Sequence, residues 1–370
     1  LSHHTSKEKT NLDNTSKDNL LPKSFQLGAL ALFAFTLSSC ASLKSVDTSR
    51  LDLIEKRNEL ICGVSGKIPG FSFLKKDGTY QGLDIDICRA MAAAILGSKE
   101  KVRFRPLTAT ERFTAIKTGE VDLLSRNTTF NLSRDSIGGN GLTFGPVVFH
   151  DGQGLMVKKI SKIEKIDNLN GRNICVGSGT TTEQNLNDSF QEKNISYKPI
   201  KYQDLNQVVA GYLQGRCIAM TSDRSQLAAA RSSFANPNDH EILDEVLSKE
   251  PLAPASIGND EKFSDAIRWV IYALFAAEEN GITQSNIEQK LLQAKNNSKL
   301  SSQRRFLGID GELGNKLGLR NDFVVKVIKA TGNYGEIYNR HLGKNKTVFI
   351  PRGLNNSYIN GGLMIAPPLK

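Results

Sequence analysis

At 370 residues and 39% apolar content, the chain is long enough for two globular domains. One tryptophan and 7% aromatic residues argue against a base-stacking surface, so no nucleic-acid partner is expected. The formal net charge of +10 comes from basic residues dispersed along the chain, which reads as a solvated surface.

The N-terminal region differs from the rest. Residues 1–24 are polar and carry no hydrophobic periodicity, whereas residues 25–37 form an apolar run preceded by Lys17 and Lys23. That run is too short to span a bilayer comfortably. It ends in Leu37-Ser38-Ser39-Cys40, which resembles a bacterial lipobox. Residues 1–40 are therefore expected to be a signal peptide, with Cys40 lipidated as the mature N-terminus. Two or more acyl chains would make the anchor stable where one would not. The alternative is a buried amphipathic segment with an incidental cysteine. Cys62, Cys88, Cys175 and Cys217 remain, without Cys-x-x-Cys spacing or a histidine cluster, so neither a metal nor a cofactor is expected. An even count outside the cytoplasm points to two disulfides, and the spacing separates an early pair from a late pair.

Residues 41–54 read as a linker. A strand over 60–64 ends in a turn-rich loop at 65–70, and Asp77-Gly78 signals a hairpin between Phe73-Leu74 and Tyr80. A helix over 84–96 stops at Gly97, and a strand covers 102–107. Thr108-Ala109-Thr110-Glu111 fits a capping box for a helix stopping at Gly119. The apolar run Val121-Asp122-Leu123-Leu124 is a short buried strand. It leads into Ser125-Arg126-Asn127-Thr128-Thr129-Phe130-Asn131-Leu132-Ser133-Arg134-Asp135. That stretch concentrates amide, hydroxyl and guanidinium groups, a chemistry suited to a ligand with both an ammonium and a carboxylate. The plainer alternative is a polar loop in which Asn131 or Ser133 caps a helix.

The arrangement then repeats. A strand over 172–176 meets the Gly-rich turn Gly177-Ser178-Gly179-Thr180-Thr181-Thr182-Glu183 and a helix to about 193. Next come a strand at 197–201, a helix over 204–214, and a strand over 217–220 with Asp223 just past its end. Each unit reads as half of an open, mostly parallel α/β sheet, whose ligands sit beyond the carboxyl ends of the strands. Two such lobes facing each other make a cleft. Residues 146–154 and 248–254 read as crossings between them. An apolar helix over 263–277, helical pattern with loops over 281–320, a helix over 324–329 and an irregular surface tail from Lys344 complete the chain.

Several runs carry a family likeness: Gly119-Glu120-Val121-Asp122, Ser125-Arg126-Asn127-Thr128-Thr129, Asp151-Gly152-Gln153-Gly154, Gly179-Thr180-Thr181-Thr182-Glu183, Ser248-Lys249-Glu250-Pro251-Leu252 and Asn333-Tyr334-Gly335-Glu336-Ile337-Tyr338. By their order and spacing, residues 55–370 resemble the periplasmic solute-binding proteins of amino-acid ABC importers (bacterial extracellular family 3). The general L-amino-acid-binding subfamily is the closest match. The resemblance implies an α/β, two-lobed periplasmic-binding-protein fold of type II, with open, mostly parallel sheets flanked by helices. Lobe 1 would comprise residues 55–148 and 253–370, including a C-terminal extension. Lobe 2 would comprise 149–252, with hinge crossings at both ends. The implied protein is not an enzyme. It is a periplasmic monomer, held to the membrane through Cys40, that delivers L-amino acids to inner-membrane ABC permease subunits.

The resemblance also implies site residues. Arg134 would grip the ligand α-carboxylate beside Thr129, and the Asn127 carbonyl would help hold the ammonium. Gly179, Thr180 and Thr181 would offer helix N-terminal amides to the carboxylate. Asp223 would pair with the ammonium once water is excluded. Ser65 and Arg126 complete the set. The alternatives are plain capping for Thr180 and for Asp223, and an outward, surface-paired Arg126 in place of one favouring acidic ligands. Ala109 stands where specific relatives place an aromatic wall, which points to broad specificity with polar or charged side chains accepted; Phe130 stands where the subfamily commonly has Trp, and the two departures leave the preferred amino acid open. Within this fold the expected bridges are Cys62–Cys88 and Cys175–Cys217, since first and third strands are neighbours and the first helix packs back on the first strand. The competing readings are a lyase of the cyclohexadienyl dehydratase type on the same fold, which needs a cleft carboxylate with a raised pKa, and a sensor ectodomain.

Overall fold

The computed structural model describes residues 48–370, so the proposed signal peptide, Cys40 and the first half of the 41–54 linker lie outside it. Where the linker was expected to end, the chain is helical. Ser49 caps α1 (Arg50–Arg57) by accepting from the Leu51 N–H, and Leu51 and Ile54 are fully buried on one face. That apolar stripe docks the segment into the core of the first lobe, which therefore starts earlier than residue 55.

The first lobe continues through β1 (Leu60–Val64), β2 (Lys67–Ile68), β3 (Ser72–Leu74), β4 (Tyr80–Gln81), α2 (Leu83–Leu96), β5 (Val102–Pro106), α3 (Arg112–Thr118), β6 (Leu123–Leu124), α4 (Leu132–Asp135) and β7 (Leu142–Phe144). The long strand β8 (Phe149–Lys158) crosses out. The second lobe contains β9 (Arg172–Gly177), α5 (Thr181–Glu192), β10 (Tyr197–Tyr202), α6 (Leu205–Leu213), β11 (Ala219–Asp223), α7 (Arg224–Ser232) and β12 (His240–Ile242). The chain returns through β13 (Lys249–Leu252) and β14 (Ala255–Ile257). It finishes in α8 (Glu261–Glu279), α9 (Ile287–Asn296), α10 (Ser301–Phe306), α11 (Leu313–Lys316), α12 (Phe323–Thr331) and α13 (Tyr334–Leu342).

The sheet orders are β5-β1-β6-β14-β7 and β10-β9-β11-β8-β12. In each, the three βαβ-connected strands are parallel, but β14 and β8 pair antiparallel with them. Both sheets are thus mixed, because a strand arriving from a crossing enters its sheet from the opposite end. The hinge is a two-stranded ribbon: β13 pairs antiparallel with the start of β8, from Phe149↔Leu252 to Gly152↔Lys249.

Strand β1 is buried along its whole length, as a central strand covered on both faces must be. Around it pack α2 and α8, whose Phe263, Ile267, Val270, Ile271 and Leu274 recur at helical spacing. No helix among the described residues is long and apolar enough to cross a membrane. Both disulfides form as expected, Cys62–Cys88 (Cα–Cα 6.2 Å) and Cys175–Cys217 (5.6 Å), one in each lobe.

Two features add to the sequence reading. Helix α13 was not anticipated as a helix, although Asn333 and Glu336 form a reciprocal capping box at its start. The tail after Lys344 packs irregularly on the surface as expected, but with a specific anchor. Asn355 accepts from the His150 N–H (2.6 Å) and donates to the His150 carbonyl (3.1 Å), fastening the tail to the hinge strand.

Candidate functional site

Short loops at the carboxyl ends of β1, β5, β6, β9 and β11 surround a cavity of about 160 Å³ between the lobes. Ser65, Arg126, Asn127, Thr129, Thr180, Thr181 and Asp223 all line it, joined by Ala109, Arg112, Thr182 and Gln226. Gly179 and Arg134 do not.

On the first-lobe wall, Asn127 adopts a left-handed conformation (φ 43°), tolerable for Asn but not for bulkier side chains. Its side-chain amide oxygen and nitrogen are both buried without a partner. Arg126 points inward and not to the surface, its Nε donating to the Leu107 carbonyl (2.9 Å). Behind this wall, Asp84 accepts from the Ser125 hydroxyl (3.1 Å), and burial pushes its carboxyl up to about 6. Phe130, stacked on Phe144, stays partly exposed and away from the cavity.

Arg134 is buried just outside the lining. Asn131 caps its short helix, accepting from the Arg134 N–H (3.1 Å), while the guanidinium donates to the Thr129 carbonyl (2.8 Å) and lies over the Phe113 ring. A further cation lining the cavity is Arg112, which the sequence reading missed. Its side chain lies over the Phe113 ring, its Nε has no partner, and its best contact is a long bond to Thr128 Oγ1 (3.5 Å). Burial lowers the pKa of Arg112 well below its usual value and that of Arg126 to about 10. Both guanidiniums thus lack a counter-anion proportionate to their burial. The signal for Arg112 was available: Thr108 and Glu111 form the expected reciprocal capping bonds (2.9 and 3.2 Å), and the next residue starts the helix at a strand's carboxyl end.

On the second-lobe wall, the Thr180 hydroxyl caps α5, accepting from the Glu183 N–H (3.1 Å). Gly179 needs its lack of a side chain: φ is +70°, and a Cβ would sit 3.1 Å from Thr110 across the cleft. Its N–H is already committed to the Glu183 carboxylate (2.9 Å).

Asp223 is the last residue of β11, three residues further along a strand that was expected to end at 220. It makes no helix-capping bond; the Asp151 carboxylate takes the Ser225 N–H at the start of α7 instead. Asp223 is left to accept from Gln226 (2.6 Å) inside the cavity. Burial first, then the nearby Asp151 and Glu250, hold its carboxyl well above the usual range. Glu250 on β13 also escaped the sequence reading as a site residue; its run there marked a crossing and the family likeness. It is buried and accepts from Thr129 and Thr181, which stand on opposite lobes.

Residues 60–344 match the family described as bacterial extracellular solute-binding proteins, family 3. The chain is 42% identical over 347 residues to the general L-amino acid-binding periplasmic protein AapJ of Rhizobium johnstonii, covering 93% of this chain and 99% of the relative. It is 41% identical over 350 residues to the glutamate/glutamine/aspartate/asparagine-binding protein BztA of Rhodobacter capsulatus, covering 95% and 100%. A solved periplasmic binding protein from Brucella ovis with glutathione bound superposes with a TM-score of 0.82 at 41% identity, covering 87% of this chain and all of the other. The chain belongs to family 3 of the bacterial extracellular solute-binding proteins.

Proposed function

We propose that this family member is the substrate-binding component of an ABC importer, closing its two lobes on an L-amino acid and delivering it to membrane permease subunits. The observation that carries the reading is the charge division across the cavity. The guanidiniums of Arg112, with its unpartnered Nε, and of Arg126 stand on the first lobe, with Arg134 just behind, while Asp223 stands on the second. An α-carboxylate and an α-ammonium held a few bonds apart satisfy both walls at once, and only the closed state completes both half-sites. In this reading Arg134, Thr129, Thr180 and Thr181 serve the zwitterion together with the Asn127 carbonyl. Arg134 acts either directly or by fixing the Thr129 carbonyl to which it is bonded.

A raised carboxylate in the cleft is also what a lyase would need, but relatives that align over nearly their whole length are named as binding proteins. Asp223 is explained as the partner of an ammonium: burial and two neighbouring carboxylates raise it, and an ammonium would lower it again. Affinity should therefore fall on acidification. The same reading makes the protein a periplasmic monomer anchored through an acylated Cys40, so native protein should yield no peptide upstream of Cys40 by mass spectrometry.

The decisive experiment is a calorimetric titration with the twenty common L-amino acids, D-isomers and sugars. Binding of several L-amino acids and none of the sugars is expected; selective sugar binding or no binding at all would overturn the proposal.

A further inference from the structure

Glu250 lies on the hinge strand β13, between Lys249 and Pro251, with its side chain almost fully buried. Its two oxygens collect donors from three parts of the molecule. Oε2 accepts from Thr129 of the first lobe (2.5 Å) and from Thr181 of the second (2.9 Å). Oε1 accepts from Asn185 on α5 (2.7 Å) and from Ser248 on the hinge (2.7 Å). These lengths are those of charge-assisted bonds to a carboxylate.

A threonine hydroxyl has one proton and two lone pairs. The contacts to Oε2 are shorter than the 3.2 Å between the two hydroxyls, which places both protons on the carboxylate, so neither hydroxyl can donate into the cavity that both residues line. They can only accept. We propose that Glu250 is a positioning residue that sets the proton direction of the Thr129 and Thr181 hydroxyls, so that they present lone pairs from both lobes to the ligand's α-ammonium. This rests on the amino-acid-binding reading above. It gives the two hydroxyls one shared role at the lobe boundary, where they lie 3.2 Å apart. Asp223 stands close enough to feel the charge of Glu250, so the ammonium meets negative potential from both sides. An amide at position 250 has a single acceptor oxygen for donors that approach from two sides. One pair of protons must then turn away, and hydroxyl protons turned into the cavity oppose an ammonium.

The test compares L-glutamate with glutarate, which lacks only the α-ammonium, by calorimetry on wild type and Glu250→Gln. The wild-type preference for L-glutamate should shrink roughly ten- to a hundredfold in the variant, the value of a hydrogen bond to a charged group. A merely structural role would weaken both ligands alike, and that result would overturn the inference. Thr129→Val should cost the wild type about tenfold in L-glutamate affinity and the Glu250→Gln protein much less; full additivity would equally overturn it. Should Glu250→Gln not fold, Glu250→Ala is held to the same comparison. If the wild type bound none of the common L-amino acids, the functional reading itself would fall, and this inference with it.

Discussion

The two lobes share a strand order but differ in what they bring to the cleft. In each, the second, first and third strands of an α/β unit lie side by side and an antiparallel strand follows. Each carries one disulfide from its first strand. Yet the first-lobe wall is cationic, through Arg112 and Arg126, and the second-lobe wall supplies Asp223 and hydroxyls at the start of α5. Common topology positions the loops; in the proposed reading, the loop residues decide which end of a zwitterion each lobe receives. The first lobe also carries the C-terminal helices and the larger core.

The largest effects should come from removing charge on either wall. Asp223→Asn leaves an ammonium without its counterion, and Arg134→Ala leaves the carboxylate side without either its partner or the support of the Thr129 carbonyl. Truncating one member of a buried charge pair costs about 2–5 kcal/mol, or roughly 30- to several-thousand-fold in affinity. For Arg134→Ala the calorimetric loss should be similar for every amino acid bound, and Arg134→Lys should fail too, because a point charge cannot reproduce a guanidinium fork. Strongly unequal losses across ligands would move Arg134 to a side-chain subsite.

Smaller effects test the lobes as structures. Replacing Cys175 and Cys217 by Ala opens a constraint spanning 42 residues, against 26 for Cys62 and Cys88. Each loss should cost about 2–4 kcal/mol, the longer loop slightly more, readable in denaturant melts. Asp84 lies only in the first lobe. Its folded value of about 6 exceeds the 3.8 of an exposed aspartate, so the folded state holds its proton more tightly. Its contribution to stability is fully present below about pH 4 and is lost as pH rises through about 6. The loss is on the order of 2–3 kcal/mol. Asp84→Asn should flatten that part of the stability–pH curve, and an unchanged curve would refute the shift. The smallest effect is on selectivity. Arg126→Ala should weaken L-glutamate by roughly tenfold more than L-leucine, and equal losses would remove Arg126 from the side-chain subsite.

The fold was largely legible because its signals are local. Gly97 and Gly119 end α2 and α3, Thr180 and Asp204 cap α5 and α6, and Asp77-Gly78 turns a hairpin. What escaped depends on tertiary contacts. The segment from Arg50 is helical because Leu51 and Ile54 find a core. Asp223 is free to face the cavity because Asp151, distant in sequence, takes over the capping of α7. Arg112 and Glu250 looked like an ordinary helix start and an ordinary crossing. Only the meeting of the lobes, which brings Thr129 and Thr181 onto one carboxylate, gives Glu250 a place in the site.

The central claim is that the cleft recognises both charges of an α-amino acid at once. It is tested most directly by titrating the wild-type protein with L-glutamate, with 4-aminobutyrate, which lacks the α-carboxylate, and with glutarate, which lacks the α-ammonium. Both analogues should bind at least roughly thirtyfold more weakly than L-glutamate, the lower bound for an unmatched buried charge. If either analogue bound within about threefold of L-glutamate, a difference of well under 1 kcal/mol, one wall of the cleft would not be reading the charge assigned to it.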